Sequence, residues 1–98
     1  MLFVPNDPIH PGEILREEFM ADYDLTVAGL AKDLGIDSGR LAELLDGHSP
    51  LDAEMALRLS RYFSNSPEYW LNLQRTYDLA IALKQSKGLE DIRPIEAA

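Results

Sequence analysis

Between Val27 and Leu34 the apolar residues Val27, Leu30, Ala31 and Leu34 fall at i, i+3, i+4 and i+7, which places them on one helical stripe. Thr26 precedes this run as an N-cap. Gly35 follows it, where glycine tolerates the left-handed conformation that ends a helix. Only Ile36 and Asp37 separate that glycine from Ser38, after which Leu41, Leu44 and Leu45 mark a short helix closed by Gly47. Two helices joined this tightly must cross at a steep angle.

The same punctuation recurs on either side. Pro11 suits a first helical position because its missing N–H would be unpaired there anyway, and Glu13 suits the positive end of the dipole. Ile14, Leu15, Phe19 and Tyr23 give that helix an apolar side, with His10 leading into it. Asp52 caps a fourth helix carrying Met55, Ala56, Leu59, Tyr62 and Phe63. Ser66, Pro67 and Glu68 open a fifth and longest helix, to about Ser86, with Trp70, Leu73, Tyr77, Ala80, Ile81 and Lys84 on one side and Gly88 as its stop. No segment shows the β-branched, period-two alternation of a strand, so the expected fold is all α with five helices. The expected organisation is a single domain over 1–88, followed by a weakly ordered tail over 89–98.

Composition narrows the function classes. A chain of 98 residues with 46% hydrophobic and 27% charged residues has room for one domain and one core. Its apolar runs are too short for a membrane span, and Met1 to Pro11 lacks the basic start of a secretory signal, so the expected compartment is the cytoplasm. With no cysteine there is no disulfide, no thiolate chemistry and no Cys-based metal site. His10 and His48 are the only histidines, too few for a metal signature. His48, Ser49 and Asp52 contain the residue types of a hydrolytic triad, but they lie within five positions of one another. Turn chemistry and helix capping account for them better, so no enzyme and no cofactor is expected.

The segment Val27 to Asp46 is the most informative, because a small residue at Ala31, a turn glycine at Gly35 and the apolar set Leu30, Leu34, Ile36, Leu41 and Leu44 must all fall in register. That is a helix-turn-helix signature at about 27–46, with an ordinary helical hairpin as the bland alternative. Three stretches extend the match: His10-Pro11-Gly12-Glu13-Ile14-Leu15; the helix-turn-helix; and Met55-Ala56-Leu57-Arg58-Leu59 through Ser66-Pro67-Glu68-Tyr69-Trp70-Leu71-Asn72-Leu73-Gln74 to Tyr77-Asp78-Leu79. Over about residues 10–82 the chain resembles the HigA/VapI-type antitoxins of bacterial toxin–antitoxin modules, a branch of the Xre (Cro/λ-repressor-like) helix-turn-helix family. The resemblance implies a λ-repressor-like homodimer that binds double-stranded operator DNA, represses its own operon and neutralises a HigB-like mRNA endonuclease toxin.

Carried over by motif position, the resemblance places Ser38, Gly39, Ala42 and Glu43 at base edges and Arg40 near the DNA backbone or a guanine. Thr26 and Val27 start the helix that meets phosphate, Lys32 is a further phosphate contact, and His48 follows the turn glycine, where relatives often carry Lys or Arg. Charge pulls the other way. Nine Lys and Arg against seventeen Asp and Glu give a net charge of −8, and residues 1–24 alone hold one basic and six acidic residues. Asp37 and Glu43 add carboxylates to the reading surface. The expectation is therefore a weak or strongly cooperative operator binder. The alternative is a protein-interaction module that keeps the fold but barely binds DNA. The acidic front, Glu13, Glu17, Glu18, Asp22 and Asp24, is read either as a solvated helix face or as the surface for a basic, RNA-cleaving toxin. Arg58 and Arg61 are read as solvated charges. The aromatic side of the last helix is read as core or dimer surface.

Overall fold

The computed structural model describes residues 7–96. Positions 1–6 and 97–98 lie outside the described residues, and with them most of the segment read against a secretory signal and the end of the expected tail. The described residues form five helices and no strand: α1 (Pro11–Ile14, continuing as π-helix over Leu15–Met20), α2 (Val27–Leu34), α3 (Ser38–Leu45), α4 (Ala53–Phe63) and α5 (Pro67–Gln85). A 3-10 turn at Leu89–Asp91 follows. No helix among these residues is long and apolar enough to cross a membrane.

Capping explains the starts of the helices. Thr26, Asp37, Asp52 and Ser66 each sit in extended backbone and accept a hydrogen bond from an N–H in the following first turn. Asp37 is thereby assigned a structural role beyond the repulsive charge expected of it. Helix ends are closed by left-handed residues: Gly35 and Gly47 as expected, but also Asp24 and Ser64, which pattern reading passes over. At α2 the Gly35 N–H reaches the Lys32 carbonyl and the Ile36 N–H reaches the Ala31 carbonyl, the paired bonds of a Schellman motif. Because Ser64 bears a Cβ at φ 57°, Ser64→Gly should stabilise the protein by up to about 1 kcal/mol, measured as a higher urea midpoint with unchanged slope.

Leu15, Leu30, Leu41, Leu44, Leu51, Leu59 and Trp70 are completely or almost completely buried and form one core in which α5 closes over α1 and α4. Two aspects of that core differ from the pattern reading. Tyr23 is 65% exposed, because α1 changes to i→i−5 bonding after Ile14 and ends before Tyr23, so a 3.6-residue period no longer predicts its direction. Leu51, in the loop before α4, is buried even though it belongs to no periodic stripe. Its N–H donates to Gln74 Oε1 at 2.7 Å, while Gln74 Nε2 donates to Asp78 at 2.8 Å, so a buried α5 amide fixes the entry to α4. At the other end α5 stops slightly early, with Ser86 as its C-cap, and Gly88 (φ 80°) opens the 3-10 turn.

Candidate nucleic-acid interface

Helices α2 and α3 pack together through buried Leu30, Ala31, Leu34, Leu41 and Leu44. The side of α3 away from this core carries Ser38, Gly39, Arg40 and Glu43, all exposed, with Ala42 half-buried beside them. These are the positions that the resemblance places at base edges or near the DNA backbone. Thr26 is exposed at the start of α2, where its Oγ1 accepts from Gly29 N at 3.0 Å. Val27 is half-buried, its side chain packing in part against the core. Free N–H groups in the first turn of α2 suit a phosphate. Lys32 is exposed and makes no ion pair with another described residue.

Few positive charges on this side are uncommitted. The Arg40 guanidinium lies 3.3 Å from Asp52 and 3.4 Å from Glu54 at the start of α4. Arg58, read from the sequence as a solvated charge, instead donates to the Leu34 carbonyl at 2.8 Å and so satisfies the C-terminal end of α2. Arg61 remains exposed on α4. His48 is exposed beyond the turn glycine, with Nδ1 3.8 Å from a Glu43 oxygen. Tyr62 donates to Asp33 at 2.9 Å, and that bond, with burial and the Asp33 charge, raises its phenol above the usual range.

His10 leads into α1 and stands beside Gly47, just beyond the end of α3. Its Nδ1 accepts from Gly12 N at 2.9 Å, and its ring meets Tyr77 edge-on at 5.0 Å. Burial lowers the His10 pKa from 6.5, against opposing contributions from the Ser49 backbone and the Asp78 charge. As pH falls, the unfolded chain therefore takes up this proton first. The His10 contribution is complete above about pH 6.5 and shrinks as pH drops toward the folded-state value. His10→Asn replaces the capping nitrogen with a capping oxygen and cannot titrate, so the variant should lose that part of the acid sensitivity of Tm; an unchanged pH dependence would assign it to other groups.

Among the described residues no group of histidines and acids is arranged to hold a metal ion. Two short helices, α2 and α3, packed together across a three-residue turn in a small helical domain have the arrangement of the helix-turn-helix class of DNA-binding regulators. No protein-family model matches the chain. Virulence-associated protein I of Dichelobacter nodosus is 40% identical over 87 residues, covering 89% of this chain and 81% of that protein. An addiction module antidote protein of the HigA family from Coxiella burnetii superposes with a TM-score of 0.84 at 43% identity, covering 90% of this chain and 98% of the other. The Pseudomonas aeruginosa antitoxin HigA, solved with the higBA promoter, superposes with a TM-score of 0.82 at 38% identity, covering 92% and 100%. The chain belongs to the HigA/VapI family of antitoxins, regulators of the Xre helix-turn-helix type. It is not an enzyme family.

Proposed function

We propose that this protein is a HigA-like antitoxin and transcriptional repressor that binds its operator as a homodimer and neutralises a HigB-like mRNA endonuclease. The observation that carries the DNA half is the exposed face of Ser38, Gly39, Arg40, Ala42 and Glu43 beside the open first turn of α2, on a fold shared with a relative solved on promoter DNA. Thr26, the Val27 backbone and Lys32 act on phosphate, Arg40 on the backbone or a guanine, and His48 at the edge of the footprint. Such DNA binding belongs in the cytoplasm.

Two surfaces suit the protein partners. Leu71, Leu79 and Leu83 are exposed on α5, on the side away from buried Trp70, Gln74 and Ala80, and provide an apolar stripe for a second copy of the chain. Glu13, Glu17, Glu18, Asp22 and Asp24 are all exposed and make no ion pair with described residues, so their field is available to attract a basic toxin.

Fluorescence anisotropy tests the reading, with the protein titrated at two salt concentrations onto DNA from immediately upstream of its own gene and onto scrambled DNA. Preference for the native sequence by about 10³-fold or more, with a shallow salt slope, is expected. Equal, weak binding to both DNAs, together with retained toxin binding, would favour the second reading, a protein-interaction module. The specific observation behind that alternative is the occupation of Arg40 by two carboxylates.

A further inference from the structure

We propose that Glu54, acting with Asp52, restrains the Arg40 guanidinium in the DNA-free protein and thereby lowers affinity for DNA of any sequence, an inference that rests on the operator-binding reading. Arg40 is the third residue of α3, and its backbone N–H is held by Asp37 Oδ2 at 3.2 Å. Its side chain crosses to the start of α4, where Nη2 donates to Asp52 Oδ2 at 3.3 Å and Nη1 donates to Glu54 Oε1 at 3.4 Å. The guanidinium is thus paired with two carboxylates of α4, while a third, Asp37, holds only the Arg40 backbone.

The two α4 acids differ in what folding asks of them. Asp52 uses its other oxygen, Oδ1, to accept from Met55 N at 2.8 Å, so the N-cap accounts for its presence. Glu54 accepts no backbone hydrogen bond. Its carboxylate, 61% exposed, reaches Arg40 and lies 3.9 Å from Arg58 Nε. An acid in the first turn of α4 also suits the positive end of the helix dipole, but Arg58 already has a firm partner in the Leu34 carbonyl, so the contact with Arg40 is the one by which Glu54 acts on the exposed side of α3.

A guanidinium binds a phosphate or a guanine edge through the same N–H groups that it gives to carboxylates, so DNA must displace Glu54 and Asp52 before it can use Arg40. The restraint applies equally to every DNA sequence, because it acts before any base is read. Its effect is to lower operator and non-specific affinity by the same factor, so that the ratio between them still rests on base-edge contacts.

A double-mutant cycle tests this by anisotropy on native upstream DNA and on scrambled DNA, with circular dichroism melts confirming that each variant folds. Glu54→Gln should tighten binding to both DNAs by about fivefold, the scale of one exposed ion pair per subunit in a dimer. Arg40→Ala should weaken operator binding with little change in Tm, and adding Glu54→Gln to Arg40→Ala should restore no affinity. A wild-type protein that fails to bind its upstream DNA would overturn the operator reading itself and the restraint with it. If the wild type binds but Glu54→Gln binds equally or more weakly, the restraint alone is overturned, Glu54 then being neutral or a positioning partner for Arg40. A gain that persists in the Arg40→Ala background also overturns it, because simple repulsion of phosphate by Glu54 would then suffice.

Discussion

Gly12→Ala is expected to destabilise the protein by about 3 kcal/mol or more, although alanine is the better helix former by nearly 1 kcal/mol. Gly12 is buried in the first turn of α1, and a Cβ built there would overlap the Leu44 carbonyl oxygen and lie 3.0 Å from the Leu45 Cα. The obstacle is α3 backbone, which cannot rotate away as a side-chain tip could. The added methyl must therefore separate α1 from α3. Urea unfolding followed by circular dichroism should show a much lower midpoint. DNA affinity, measured where the variant is still folded, should also fall, because α3 has lost its support. A variant as stable as the wild type would mean that α1 can withdraw from α3 without loss, and that the close approach of the two helices contributes little.

Trp70→Ala should have an effect of similar or greater size, about 3–5 kcal/mol, because it empties the largest fully buried side chain in the protein. The indole ring packs against Phe19 at 4.8 Å and Phe63 at 6.1 Å between ring centroids, and its Nε1 donates to Asn65 Oδ1 at 2.8 Å. Trp70 therefore joins α1, α4 and the loop before α5 in one aromatic cluster. Against a total stability of roughly 5–15 kcal/mol for ordinary domains, with small ones toward the low end, the loss should leave a substantial unfolded population at 37 °C. Circular dichroism is the appropriate probe, because the substitution removes the only tryptophan. Trp70→Phe should recover much of the loss, since it refills most of the volume and gives up only the bond to Asn65. If Trp70→Ala melted close to the wild type, α5 would have to be held chiefly by its lower half, around Gln74 and Tyr77.

The legible part of the fold lies where local rules and burial agree. Leu30, Ala31 and Leu34 repeat with the helical period and are buried. Gly35 and Gly47 occur where a left-handed residue is required, and Thr26, Asp52 and Ser66 cap the helices they precede. Part of the exposed side of α3 follows the same rule: a helix that buries Leu41, Leu44 and Leu45 must turn Gly39 and Glu43 outward, whereas Ser38, three before Leu41, is exposed because it begins the helix. What could not be read is whatever depends on a partner distant in the chain. Val27 fits a helix start equally well with its side chain outside or against the core, and Arg58 looks like any surface arginine until Leu34 is brought next to it.

The sequence by itself determined the five helices and the position of the helix-turn-helix, because caps, turn glycines and apolar periods act over a few residues and need no knowledge of distant packing; the family followed from the likeness of whole motifs over about residues 10–82. Only the tertiary structure decided that Gly12 is required by the α3 backbone, that Gln74 fixes Leu51, and that Arg40 is held by Asp52 and Glu54. Those contacts join residues 12 to 32 positions apart. The energy of each comes from a close approach that the chain makes only after its helices have packed, and so no local pattern records it.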